Sequence, residues 1–443
     1  MQDDHRCGAC FTVRATEKLH GQKYGFGVLS CRLNRKQVSS IPTCLTIAGL
    51  RVDTLTREFG TPLYVYDAGI IVRQLKRLSA ALPERHSIRY AAKALTNPSI
   101  LRLVKDHGAG LDCVSLQEVQ IGLRCGFDPE KISFTPNNVS LREVQEAVSL
   151  GVEITLDNLS ILEAFGKTYG DGYPVAVRIN PHIMAGGNLK ISTGHRLSKF
   201  GISLEQRDDI LRVADQYGLR INGLHIHTGS EIKDNAVFMQ AANVLLDMAP
   251  AFPHLRFIDF GGGFKVAYRA GDAVTDIEAL GQLLSEALEN HRKKHGQDLT
   301  LKVEPGKFLV SEAGSLLTEV TVVKETPAVT FVGVDTGLNH LIRPMMYDAW
   351  HDIENGTNAA GPERTYTIVG NICETDTFGA DRTLPEVREG DVLIIRNAGA
   401  YGHSMASNYN SRFRPAEVLI ENGEARLIRR RDTLEDLLRG TEL

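Results

Sequence analysis

The chain has 443 residues, 42% of them hydrophobic and 7% aromatic, enough to bury a large core and to form about two domains if one is a barrel of roughly 250 residues. Lys and Arg total 50 against 54 Asp and Glu, a formal charge of -4, which gives no electrostatic basis for binding nucleic acid or an anionic membrane. No apolar stretch reaches the roughly 18 residues of a membrane span, and Met1-Gln2-Asp3-Asp4 lacks the basic start of a secretory signal, so the expectation is a cytoplasmic enzyme with a small substrate.

Residues 1–47 carry no clean helical or strand period and are expected to be a dispensable extension. Four of the seven cysteines, Cys7, Cys10, Cys31 and Cys44, fall there. The count is odd and only Cys7 and Cys10 form a CxxC, so neither disulfides nor a metal site is expected. Residues 48–66 read as a helix-like Val52 to Phe59, a Gly60-Thr61-Pro62 turn and a strand-like Leu63 to Tyr66, a segment expected to pack with a later β domain.

Residues 67–310 hold eight short apolar runs at helix-length intervals: Ile88 to Ala92, Leu111 to Val114, Ile132 to Phe134, Ile154 to Leu156, Val175 to Ile179, Leu224 to Ile226, Phe257 to Phe260 and Leu301 to Val303. Continuous apolar runs fit parallel strands buried on both faces, and their alternation with helices predicts a (β/α)8 barrel, whose strand ends converge on one mouth. The exits carry Lys93, Ser115, Asn137, Asp157, Asn180, His227, Gly261 to Gly263 and Glu304. Met184 to Lys199, with Gly186, Gly187 and Gly194, reads as a long flexible loop on that face, of the kind that acts as a lid. In residues 311–443 the period changes, and strand-like Leu316 to Lys324, Thr330 to Val334, Tyr366 to Val369, Val392 to Arg396 and Ala416 to Ile420 predict a C-terminal β domain. Asn355 to Glu363 reads as a surface loop and Arg429 to Glu442 as a solvated helix.

Lys93 closes the first strand inside Tyr90-Ala91-Ala92-Lys93-Ala94, where burial would lower its pKa and free a neutral amine for a Schiff base; a snorkelling surface lysine is the plain alternative. Gly261 to Gly263 leave a late strand with bare amides suited to phosphate, or simply make a tight turn. Glu304 would face the lysine across the mouth, where a carboxylate at a pyridine nitrogen makes the ring an electron sink. His225 and His227 point to one side of a strand; no third donor is spaced to make them metal ligands, and an imidazole stacked on a ring, with Ser230 donating to phosphate, fits better. Together these residues describe a site for pyridoxal 5'-phosphate.

Further motifs run in order: Gly110-Leu111-Asp112-Cys113-Val114-Ser115, Arg178-Ile179-Asn180-Pro181, Ser198-Lys199-Phe200-Gly201, Arg343-Pro344, Cys373-Glu374 and Ala398-Gly399-Ala400-Tyr401-Gly402. With these, the chain from about Leu50 to Leu438 resembles the fold-type III pyridoxal-phosphate decarboxylases, most specifically the diaminopimelate decarboxylases. The resemblance implies a TIM barrel with a C-terminal β domain of the alanine racemase type. It implies that Lys93 carries the Schiff base, that His227 stacks on the ring and that Glu304 pairs with its nitrogen. Asp112, Arg178, Ser230, Gly261, Gly262, Gly263 and Tyr401 would be further cofactor contacts. Lys307, Arg343, Tyr347, Glu374 and Tyr401 would read the substrate. Cys373 would be the general acid, a buried structural cysteine being the alternative.

A head-to-tail homodimer is also implied, with Cys373 and Glu374 reaching the partner's barrel so that each active site is composite. The implied reaction converts meso-2,6-diaminopimelate to L-lysine and carbon dioxide, the last step of lysine synthesis. One departure stands out: the family usually has arginine after Glu-Pro-Gly, and here it is Lys307, which keeps the charge but loses the bidentate fork. The alternative activity is a related basic amino acid or carboxynorspermidine decarboxylase. A silent homologue would be expected to lose Lys93 or Cys373, and an alanine-racemase-like enzyme would not need the Cys373-Glu374 pair.

Overall fold

The computed structural model describes residues 44–186 and 192–442. The expectations for residues 1–43, including Cys7, Cys10 and Cys31, lie outside the described residues, as does the 187–191 part of the expected lid. Eight parallel strands close into a barrel: His86–Ala91, Gly110–Cys113, Ile132–Phe134, Glu153–Leu156, Val175–Asn180, Ile221–His225, Phe257–Asp259 and Thr300–Val303. Closure is made where Leu301, Lys302 and Val303 pair with His86, Ser87 and Ile88. The runs read from sequence fall on these strands with ends shifted by at most three residues, the largest shift being at Ile221–His225; Val114, for one, lies outside its strand and is exposed.

The turns after the first four strands deliver the chain into helices through polar caps. Asn97, Ser115, Ser140 and Asn158 each accept a first-turn backbone amide, a contact worth about 1 kcal/mol. Ser115, expected among the exits that could do chemistry, is thus occupied as a helix cap by the Glu118 amide.

The barrel interior is not wholly apolar. At its N-terminal end Glu153 accepts from Lys302 at 2.6 Å and Arg89 at 3.1 Å, both bases buried. At the C-terminal end the register sets Arg178, His225 and Asp259 side by side on neighbouring strands. These polar side chains sit inside strands that a period argument reads as apolar, because the alternate positions facing the helices are Val, Ile and Leu.

The strand Leu63–Asp67 joins the two ends of the chain, pairing antiparallel with Gly314 to Leu317 and parallel with Ala416 to Ile420. Both of its faces are buried. Tyr64 and Tyr66 join the main core, whereas Leu63 and Val65 join a second cluster with Ile47, Val52, Leu55 and Val418. Ile47, expected in the dispensable extension, is therefore part of the packed structure, and Leu45 donates its amide to Gly356 O at 2.8 Å. The C-terminal sheet centres on Gly314–Glu325, with Thr330–Val334, Glu363–Val369, Val392–Ile395 and Ala416–Glu421 as expected elements.

Among the described residues of the C-terminal domain, three strands were not anticipated. Ile353–Asn355 begins the stretch read as a surface loop, and there Asn355 and Asn358 are buried, both donating to Glu386 O. Thr377–Pro385 pairs with Glu363–Val369 although its burial does not alternate cleanly. Glu424–Arg429 takes the start of the expected C-terminal helix, which shrinks to Leu434–Leu438. No helix among the described residues is long and apolar enough to cross a membrane.

Candidate active site

The first barrel strand ends at Ala91, and Lys93 sits on the single 3-10 turn Ala92–Ala94 that follows it. Its Nζ donates to Asp112 Oδ2 at 3.0 Å, and Asp112 is buried and accepts in turn from Thr135 Oγ1. Burial opposes the charge, but Asp112, Tyr401 and Glu304 outweigh it and hold the amine above the ordinary lysine range. The expectation that burial leaves Lys93 neutral is corrected: in the protein alone it is an ammonium, because the next strand supplies a counter-charge. Its side chain retains 37% exposure toward a cavity, which separates it from both a sealed core lysine and a free surface one.

Glu304 follows the eighth strand. Its Oε2 lies 3.2 Å from His225 Nε2, while its Oε1 is buried without a partner. Burial and the Asp112 charge push its carboxyl up, against the pull of Lys93, Arg178 and Lys302. Asp259, which accepts the Gly261 amide at 2.9 Å, is raised to about 7 by burial and by Glu304. Burial pushes His225 down to about 4, so it is neutral, and its Nε2 and Glu304 Oε2 share one proton. His227, two residues beyond its strand, is also kept neutral, by burial and by the Arg178 and Lys93 charges. The Gly262 amide approaches its Nδ1 at 3.3 Å, which places the ring proton on Nε2.

One cavity is lined by Lys93, His227, Ser230, Gly262, Gly263, Glu304, Lys307 and Tyr401. The glycine loop is shaped by close approach. Gly261 and Gly263 have φ of 63° and 107°, and a Cβ on Gly262 or Gly263 would overlap the Glu304 or Gly229 carbonyl oxygen. Arg178 is buried and does not line this cavity; its guanidinium is 4.7 Å from the centre of the Phe200 ring.

A second cavity of about 900 Å³ contains Arg343 and Tyr347 together with Glu231, Lys265 and Tyr268. Arg343 is 3% exposed; its Nη2 reaches Tyr268 Oη at 3.4 Å and its Nε is buried without a partner. Lys307 donates to Glu231 Oε1 at 2.6 Å.

Cys373 and Glu374 stand apart from both cavities. Cys373 is exposed, which removes the buried structural reading, and its Sγ accepts from Asn410 Nδ2 at 3.2 Å; Glu374 accepts from Tyr409 Oη. The chain does not bring these two residues to its own Lys93.

Sequence reasoning missed Glu231, Asp259 and Thr135, and gave His225 no role of its own. A strand-end position facing the interior was the available signal for His225 and Asp259. The structure also supplies the third donor that sequence spacing did not suggest, since ligand atoms of His225, Asp259 and Glu304 lie within 4.8 Å of one another. Their hydrogen bonds and the nearby Lys93 and Arg178 charges make this an acid–imidazole network that disfavours a further cation.

The arrangement fits pyridoxal 5'-phosphate. An unpartnered buried carboxylate oxygen suits a pyridinium nitrogen, a glycine cradle without room for a Cβ suits a phosphate, and an amine faces the cavity between them. The model of the pyridoxal-dependent decarboxylase, pyridoxal binding domain, matches residues 68–311. Diaminopimelate decarboxylase of Methanothermobacter thermautotrophicus is 39% identical over 407 residues, covering 89% of this chain and 95% of its relative. The chain belongs to the diaminopimelate decarboxylase family. The Escherichia coli K12 member is 37% identical over 402 residues, 87% of this chain and 94% of its own length. Diaminopimelate decarboxylase from Helicobacter pylori complexed with L-lysine superposes with a TM-score of 0.81 at 34% identity, covering 87% of this chain and 98% of that one. Members of this family are pyridoxal-dependent carboxy-lyases.

Proposed function

We propose that this protein decarboxylates meso-2,6-diaminopimelate to L-lysine and carbon dioxide, the last step of lysine synthesis. The observation that carries the reading is the convergence of Lys93, Glu304 and the glycine loop on one cavity, beside a second one lined by Arg343 and Tyr347. The first would hold the cofactor. The second offers a buried guanidinium to a substrate carboxylate, consistent with relatives named for diaminopimelate and with the lysine bound in the H. pylori protein.

When bound, pyridoxal 5'-phosphate supplies an aldehyde that condenses with an amine and a ring that takes up the electron pair left by departing carbon dioxide. Lys93 provides the resident amine, and Asp112, fixed by Thr135, orients Nζ and accepts its proton density at 3.0 Å. His225 holds Glu304 through Oε2 and leaves Oε1 free to accept from the ring nitrogen. His227, its tautomer set by Gly262, would cover the ring; Ser230, Gly261, Gly262, Gly263 and Tyr401 would hold the phosphate. Lys307, Arg343, Tyr347 and Tyr401 would read the substrate.

Cys373 would return a proton to the reacting carbon, and Glu374 would take the substrate's distal ammonium, both from a second copy in a head-to-tail homodimer. What supports the composite site is that both residues are exposed and line neither of this chain's two cavities. The test is carbon dioxide release by purified protein with added cofactor. Diaminopimelate should be turned over, ornithine, arginine and lysine should not, and Lys93→Ala should lose both turnover and the bound cofactor's absorbance. Release from ornithine alone, or an active Lys93→Ala protein, would overturn the assignment.

A further inference from the structure

Lys307 follows Glu304-Pro305-Gly306 directly, and its ammonium is already engaged. Nζ donates to Glu231 Oε1 at 2.6 Å, and the same oxygen lies 3.9 Å from Arg343 Nη2. Lys307 is 8% exposed and lines the Lys93 cavity, whereas Glu231 and Arg343 line the larger neighbouring one. One carboxylate therefore sits between the two cations at the boundary of the two cavities.

Its position is built rather than incidental. Glu231 has φ 65°, a left-handed conformation that side chains other than glycine seldom adopt. The next residue is pinned by Ile232 N donating to Gly263 O at 2.9 Å, so the glycine loop that forms the cofactor cradle also aims Glu231 at Lys307. Although burial works against its charge, Lys307, Arg343 and Lys265 hold the Glu231 carboxyl below its ordinary range, so it is ionised.

The geometry points to Glu231 as a specificity-determining residue: a resident carboxylate that occupies the anion position between Lys307 and Arg343 and must be exchanged for the carboxylate of the substrate. This inference rests on the proposed reaction and deepens it. A buried cation with one satisfied ion-pair partner gains little from a second unless the first is released. The apparent affinity for a carboxylate ligand is thus reduced by the fraction of molecules in which Lys307 is free. A ligand lacking that carboxylate does not meet this competition, and its ammonium would be attracted by Glu231.

L-Lysine and cadaverine differ by one carboxylate and serve as the probes. In the holoenzyme, assayed at about pH 6 so that Lys307, its pKa lowered to about 8 by burial and Arg343 even beside Glu231, keeps its proton, Glu231→Gln should tighten competitive inhibition by lysine about tenfold and lower KM for diaminopimelate by a similar factor, with kcat within about twofold. Inhibition by cadaverine should stay the same or weaken. In a Lys307→Gln background the Glu231→Gln effect on lysine should shrink below about twofold, because the competition acts through that ammonium. Lysine and cadaverine constants that move together, a raised KM in Glu231→Gln, or an undiminished effect without Lys307 would each overturn the role of Glu231. If the unaltered enzyme releases no carbon dioxide from diaminopimelate, it is the reaction that fails; if it does, and the lysine-to-cadaverine ratio is unmoved, the fault lies with Glu231 alone.

Discussion

Replacing Gly262 by alanine tests whether the cradle depends on backbone approach. A Cβ there would overlap the Glu304 carbonyl oxygen, whereas ordinary contact begins at 3.4 Å, so the loop must retreat by about 1 Å. The displacement cannot be absorbed by a side-chain rotation, since both parties are backbone. It also moves the Gly262 amide that fixes His227 and the segment from which Glu304 extends. Overpacking of this kind costs about 1–3 kcal/mol, and misplacing reacting groups by about 1 Å costs on the order of 10²-fold in rate. Gly262→Ala should therefore fold with a lowered melting temperature, bind cofactor more weakly, and lose about 100-fold in kcat. The measurements are cofactor titration by absorbance, thermal melting, and steady-state carbon dioxide release. Gly296→Ala, at the end of the helix Ile277–His295, is the control: its φ of 71° makes alanine strained, but no atom lies within 4 Å, so stability should fall while kcat holds. A Gly262→Ala enzyme with unchanged kcat and cofactor affinity would refute the claim that this loop is shaped by close approach.

If the active sites are composite, mixing Lys93→Ala with Cys373→Ala subunits should restore about a quarter of wild-type activity after exchange, because a mixed dimer has one site carrying both defects and one carrying neither. Activity that stays at the sum of the two variants would place Cys373 and Lys93 in the same copy, or Cys373 outside the chemistry. In the cofactor-free protein, Asp259 has its carboxyl raised from 3.8 to about 7, so its contribution to stability is full at acid pH and is lost as pH rises through about 7. The loss is on the order of 4 kcal/mol at 1.36 kcal/mol per tenfold, and Asp259→Asn should reduce the fall in urea-melt stability across that range, leaving the part due to Glu304. An Asp259→Asn protein with the wild-type pH slope would show that Asp259 is not the group being forced to ionise.

Much of the cofactor site was legible because its residues sit at fixed offsets from strand ends. Lys93, His227, Gly262, Gly263 and Glu304 each lie one to four residues past an apolar run, and barrel closure brings such positions to one mouth. The roles proposed for Cys373 and Glu374 rest on the resemblance and on the density of functional groups in Cys373-Glu374-Thr375-Asp376, since nothing in a β-domain turn says which surface it will meet.

The amino-acid order alone determined the alternation of strand and helix, the change of period after Glu304, and the residue types offered at each strand end, because backbone periodicity and helix capping are local. The charge states and partners at those ends were decided by tertiary structure. Lys93 is an ammonium because Asp112 stands on the adjacent strand, 19 residues away in sequence. Lys307 is held by Glu231 across 76 residues. Coulombic pairing in a desolvated interior depends on distances between elements, and those exist only once the barrel has closed.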